Sequence, residues 1–230
     1  MSEDLAMPGL EVFPEYSTLP GLFRQEVRGL TELQLDRRRM DKGWGRWSIR
    51  EQVSHAAWIP YLLFLGFWGK TLFGENLPRD PSLLKAGGEE GAEGADRMLD
   101  PKKFHAMEDI FTAFEDSCAL AREILEGETL GSLRKKILRR TVPPDRAWPT
   151  GESVRDYLEN LVMPAHPGEM WKDEEDPDVF HQTLESTFRH YPWEAYVHLK
   201  TIQMHKRAEG LSPAKSFPED EGYIPRLDWD

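Results

Sequence analysis

The stretch 30–58, LTELQLDRRRMDKGWGRWSIREQVSHAAW, decides how the rest of the chain is read. Ser48-Ile49-Arg50-Glu51 has the form of a capping box: the serine hydroxyl accepts the amide three residues on, and the glutamate reaches back to the serine amide. Ile49, Val53, Ala56 and Ala57 follow, then Leu63 and Phe64, at helical spacing on one broad apolar face. Pro60 deletes one backbone hydrogen bond and predicts a kink. Gly74 ends the helix. Before it, a first helix is predicted over 20–29, with a second piece over 31–42 capped by Thr31.

After it, 75–100 is rich in Gly, Pro and acid and reads as a long surface loop. Asp100-Pro101 offers a capping Asp with Pro in the first turn of a third helix. The apolar stripe of that helix is Ile110, Phe111, Phe114, Cys118, Ala121 and Leu125, and Gly127 stops it. Residues 130–140 are basic. A short helix is predicted over 152–163, an acidic loop over 164–178, and a helix over 179–189. Pro192 then opens a last helix that runs to about 209, closed by Gly210 and Pro213. The tail 211–230 reads as extended over the surface. Helix signals dominate, so the expectation is an all-α bundle of four longer helices. It forms one domain, 1–230, with loop-rich insertions at 75–100 and 141–178.

Composition bounds the function. The 230 residues carry 29 Lys and Arg against 41 Asp and Glu, a net charge of −12, which argues against nucleic acid and against an anionic membrane surface as partners. The apolar share of 39% is enough to fill a core. A single cysteine, Cys118, excludes an internal disulfide and a cysteine-based zinc site, and points to a reducing, cytoplasmic setting. The opening segment MSEDLAMPGLEVFPEYS lacks the basic start and apolar run of a secretory signal. The strongest apolar run, 56–69, is short of the roughly 20 residues a membrane span needs.

The chemistry sits on histidines. His55 lies two turns into the second helix, beside its apolar face. His198 and His205 lie in the last helix, seven residues apart, so they face the same way about 10.5 Å apart along the axis. Inward side chains from facing helices build metal sites in bundles, and imidazole suits zinc, nickel and iron. Direct coordination of one ion by both His198 and His205 is disfavoured, since metal–nitrogen bonds are only about 2.0–2.1 Å.

At this point the sequence resembles a family. The segment 30–58, with Trp47, Ser48, Glu51 and His55 in a Trp-Ser-Ile-x-Glu-x-x-x-His pattern, is similar to the DinB/YfiT-like four-helix proteins. The segment 192–210, PWEAYVHLKTIQMHKRAEG, resembles the closing helix of that family. The likeness implies an up-down four-helix bundle, a homodimer, and a divalent metal (zinc, nickel or iron) held by one histidine of the second helix and an H-x-x-x-H pair of the last. His55 matches the first of these and His205 the later member of the pair. The earlier member falls on Thr201, a departure from the pattern, with His198 one turn before it as the substitute. The implied metal ligands are therefore His55, His205 and His198. The implied activity is a metal-dependent transferase or hydrolase acting on a small molecule, with water or a low-molecular-weight thiol as nucleophile. The competing reading is a metal-free small-molecule binding module or structural dimer, which the missing histidine at position 201 favours.

Other features carry less. Arg134, Lys135, Lys136, Arg139 and Arg140 read as a solvated or acid-paired face. Cys118 reads as a small buried hydrophobe. Trp44, Trp47, Trp58 and Trp68 read as core or interface packing rather than a ligand cage. The acidic runs near Glu89 and Asp173 read as solvated loops. No phosphate-binding glycine loop and no G-x-S-x-G nucleophile motif occurs.

Overall fold

A computed structural model describes residues 4–84, 97–148 and 151–229. The acidic run near Glu89 and the glycines at 87–94, and with them residues 85–96 of the loop expected over 75–100, lie outside the described residues. Helix α1 spans Leu19–Val27 and α2 Glu32–Asp36, the latter capped by Thr31 in a complete capping box with Gln34. Helix α3 spans Ile49–Tyr61 and passes into a π turn, Leu62–Phe67, before α4, Gly69–Phe73. Both bonds of the Ser48–Glu51 capping box are present, 3.3 Å from the Glu51 amide and 2.7 Å from the Ser48 amide. Gly74 ends the run with φ at +65°, a conformation that side-chain-bearing residues rarely adopt.

Helix α5 spans Met107–Glu126 and α6 Leu130–Lys135. Strand β1 is Ile137–Thr141. Helix α7 begins at Val154–Tyr157 and continues through a π segment, Leu158–Val162, to Ala165. Strands β2, Met170–Lys172, and β3, Val179–Thr183, follow, and α8 runs Leu184–Arg207. α1 and α3 each pack against both α5 and α8. Their inner faces meet in an aromatic core in which Phe64 stacks on Phe188 at 4.5 Å and Phe23 meets Phe114 edge-on at 5.2 Å. A smaller core of Val142, Val154, Leu158, Val162, Met170 and Phe180 lies between α7 and the sheet.

Three expectations are corrected. The chain is mostly helical but not all-α: β1, β3 and β2 form an antiparallel sheet in that order, with Ile137 opposite Thr183 and Met170 opposite Gln182. The segment 179–189 is not one helix. Its first five residues are the central strand, and Thr183 caps α8, accepting the Ser186 amide at 3.0 Å. Asp100 does not cap the third helix. Its carboxylate takes the Lys102 amide in a local turn, and α5 starts at Met107.

Pro192 therefore sits inside α8 rather than at its start. A proline there frees the carbonyl four residues earlier, that of Phe188, and the buried Tyr16 hydroxyl donates to it at 3.0 Å. Pro60 does the same in α3. It frees the Ala56 carbonyl, which accepts the Tyr191 hydroxyl at 2.8 Å. Two helices thus keep interior prolines because two tyrosines from other elements fill the gaps.

The tail is not merely draped over the surface. Glu26, fully buried in α1, accepts Lys206 Nζ at 2.6 Å, Gln203 Nε2 at 3.2 Å and the Ala214 amide at 3.0 Å, which pins the chain as it leaves α8. Further on, Tyr223 and Ile224 are buried. No helix among the described residues is long and apolar enough to cross a membrane.

Candidate metal centre

Helix α8 carries His190, Glu194 and His198 at intervals of four, so all three share one face. His55 comes from α3, which packs against α8. His55 and His198 are 3% and 8% exposed, and their ring centroids are 4.5 Å apart. Glu194 lies between them. Its Oε1 is 3.5 Å from His55 Nε2 and 3.4 Å from His198 Nε2. One ligand atom from each of the three residues falls within 4.8 Å of the others.

The rings are oriented by their other nitrogens. His55 Nδ1 bonds the Arg97 carbonyl, which can only accept, so the proton sits on Nδ1. His198 Nδ1 faces Gln52 Oε1 and donates in the same way. Nε2 of each ring then faces the Glu194 carboxylate. Burial, reinforced by the nearby His198, lowers the pKa of His55 to about 4, so the ring is uncharged at neutral pH. Burial alone would raise the Glu194 pKa. The hydrogen bonds to His198 and His55 and the neighbouring imidazoles outweigh it and hold the carboxyl well below its usual range. Two imidazole nitrogens and a carboxylate oxygen therefore converge, a donor set able to hold a cation. In a tetrahedral site with bonds of about 2.0–2.1 Å, neighbouring donor atoms sit roughly 3.3–3.4 Å apart, close to the two carboxylate–imidazole spacings.

Trp47 closes one side, its ring 4.8 Å from that of His55 and nearly parallel to that of His198 at 6.0 Å. On the other side Glu194 Oε2 accepts the Tyr223 hydroxyl and lies 3.4 Å from the Tyr157 hydroxyl. Tyr157 continues to His190 Nε2 at 3.2 Å, and His190 Nδ1 lies 3.4 Å from His166 Nε2. The tail residue Tyr223 and the histidines 166 and 190 thus belong to one buried polar chain that ends on Glu194.

Of the expected ligands, His55 and His198 come together and His205 does not join them. His205 is two turns beyond His198, its Nε2 bonds the Trp47 carbonyl at 3.0 Å, and its ring meets Trp44 edge-on at 5.1 Å. Thr201, at the position where the family pattern has histidine, bonds back to the Val197 carbonyl at 3.1 Å. The third member is Glu194, which attention to histidines alone passed over. Its signal was available as an E-x-x-x-H pair four residues apart.

The other candidates settle into structural roles. Cys118 is buried, and burial pushes its thiol up to about 12. In the basic segment Arg134 pairs with Glu185 at 2.7 Å and Lys136 with Glu128. Trp68 is core and donates to Thr187 at 3.0 Å, whereas Trp47 packs on the site itself. Compared with protein-family models, with curated proteins and with solved structures, the chain matches none.

Proposed function

We propose that the chain is a metal-dependent transferase or hydrolase of small molecules, with one divalent ion held by His55, Glu194 and His198. The observation that carries this reading is the convergence of two imidazole nitrogens and one carboxylate oxygen in a buried site. Two histidines and a carboxylate are a donor set used by catalytic zinc and by non-haem iron, both of which leave positions open for substrate. Such an ion supplies Lewis acidity toward water, a thiol or a substrate carbonyl. The protein's own part is orientation and exclusion. Gln52 and the Arg97 carbonyl fix the two rings, Tyr223 fixes the carboxylate, and Trp47 keeps bulk water off the imidazoles. The resemblance of 30–58 to DinB/YfiT-like proteins points the same way, with Glu194 and His198 taking the place of the closing histidine pair.

A metal-free reading draws on a different observation: Glu194 already has a tyrosine donor and joins a hydrogen-bonded chain that runs to His166. The two readings separate on metal content. Protein purified without chelator or affinity tag, and supplemented with zinc, nickel or iron, is expected to hold about one ion per chain. His55→Ala and His198→Ala should each lose it. Sub-stoichiometric metal in the parent under all three supplements would leave only the metal-free binding module.

A further inference from the structure

Arg97 is placed unlike Arg24 and Arg189, which also lie over aromatic rings. Arg24 lies over Phe111 and also pairs with Glu108 and Glu115, and Arg189 lies over Phe13 and also pairs with Glu185. The Arg97 guanidinium lies 4.9 Å from the Trp47 ring and 5.1 Å from the Trp148 ring, with no carboxylate partner among the described residues. Its Nε is buried and has no hydrogen-bond acceptor there. Cation–π contact uses the face of the guanidinium and leaves its edge, with its fork of N–H donors, unfilled.

Its position ties it to the centre. The Arg97 carbonyl holds His55, and the indole it stacks on, Trp47, is the one that packs against both His55 and His198. Trp58, with its ring 6.3 Å from that of His55, also keeps a buried indole N–H without an acceptor. Two unfilled donors therefore flank the same histidine. Arg140 lies over Phe67. Burial and then the charge of Arg146 bring its pKa down to about 10, and it is close enough to Tyr157 to feel that side chain's charge. Tyr157 packs on Trp148, the indole under Arg97, at 5.1 Å.

We propose that the Arg97 guanidinium, held between Trp47 and Trp148 beside His55, recognises a carboxylate on the small molecule that this site takes. The fork of a guanidinium matches a carboxylate in two parallel hydrogen bonds. A monocarboxylate suits the surroundings better than a phosphate dianion, whose second charge would meet Glu194 and the acidic body of the protein. This inference rests on the reading of His55, Glu194 and His198 as the reaction centre, and it names the substrate class for that centre.

The test is binding of propionate to the full chain, followed by saturation-transfer NMR with zinc-loaded and metal-free protein. Propionamide and inorganic phosphate serve as the comparison probes. Propionate should bind the parent more tightly than either. Arg97→Met should weaken it by about tenfold or more, since a charge-assisted hydrogen bond is lost. Arg97→Lys, which keeps the charge and the stem but not the fork, should fall between them and controls for folding. Zinc content of both variants should equal that of the parent. Propionate binding that is absent in the parent, unchanged in Arg97→Met, matched by the amide, or exceeded by phosphate overturns the assignment. Absence of zinc from the parent with Arg97-dependent propionate binding intact would instead remove the metal reading and leave the carboxylate site standing.

Discussion

The Tyr191 hydroxyl donates at 2.8 Å to the Ala56 carbonyl, the oxygen that Pro60 deprives of its helical amide. Tyr16 performs the same service at Phe188, which Pro192 deprives, and the two tyrosine rings lie 5.4 Å apart. Removing either hydroxyl leaves a buried carbonyl unsatisfied. Tyr191→Phe and Tyr16→Phe should each lower stability by about 1–3 kcal/mol, read in denaturant midpoints. The cause is separable by a double-mutant cycle. In a Pro60→Ala background an amide is restored to α3, so Tyr191→Phe should cost clearly less there than in the parent. An equal cost in both backgrounds would mean that the hydroxyl acts through something other than the freed carbonyl.

The geometry separates Glu194 from His205. Glu194→Gln keeps the shape but removes the charge that a cation between the imidazoles requires. Metal affinity should fall by at least about tenfold, in line with loss of a charged ligand. His205→Ala should keep full metal stoichiometry, because its ring serves the Trp47 carbonyl rather than the cluster. Metal titration followed by the rise in melting temperature reads both, since an ion that binds only the native state stabilises it by mass action. Loss of metal in His205→Ala with retention in Glu194→Gln would reverse the assignment.

What could be read from the residues alone depended on whether the deciding interactions were local. The Ser48–Glu51 and Thr31–Gln34 boxes close within one turn, and both caps form. Val179-Phe180-His181-Gln182-Thr183 is too short an apolar run to separate strand from helix. Its state is set by β1 on one side and β2 on the other, whose paired residues lie 38 to 46 and 8 to 12 positions away in sequence respectively. Pro192 read as a helix start because nothing local shows that Tyr16, from a distant segment, will satisfy Phe188. In the site, His55 stood out through its capped helix. Glu194 was one acid among 41 acidic residues and gained meaning only once α3 and α8 brought His55 against it.

Two histidines, His55 buried and His190 largely covered, make the metal-free protein sensitive to acid. Burial, with a neighbouring imidazole, lowers His55 and His190 each to about 4 from an ordinary value of 6.5. Between these values the unfolded chain takes up protons that the folded chain refuses, so stability falls as pH is lowered from about 6.5 to about 4. Below about 4 both states are protonated at these groups and they cause no further loss. The ceiling is about 3 kcal/mol for each group, from the size of the shift. Melting temperatures across this window should drop, and His190→Gln should flatten part of the slope. A profile level from 6.5 to 4 would show that the two rings are not held neutral.

Glu26 supports a final prediction about the tail. Its carboxylate is fully buried and is shared by Lys206, Gln203 and the Ala214 amide, with Lys215 adding an amide at 3.4 Å. Because the pair is buried, removing one partner strands the other's charge, at a cost of about 3–5 kcal/mol. Lys206→Met should therefore destabilise strongly, while Glu26→Gln combined with Lys206→Met should recover part of the loss, since no buried charge remains. Both variants should loosen the chain after α8, and with it Tyr223, whose hydroxyl meets Glu194. Limited proteolysis should accordingly cut beyond Arg207 faster in the variants than in the parent, and metal affinity should weaken in step. Rapid cleavage of the tail with metal binding untouched would show that Tyr223 plays no part in orienting the carboxylate.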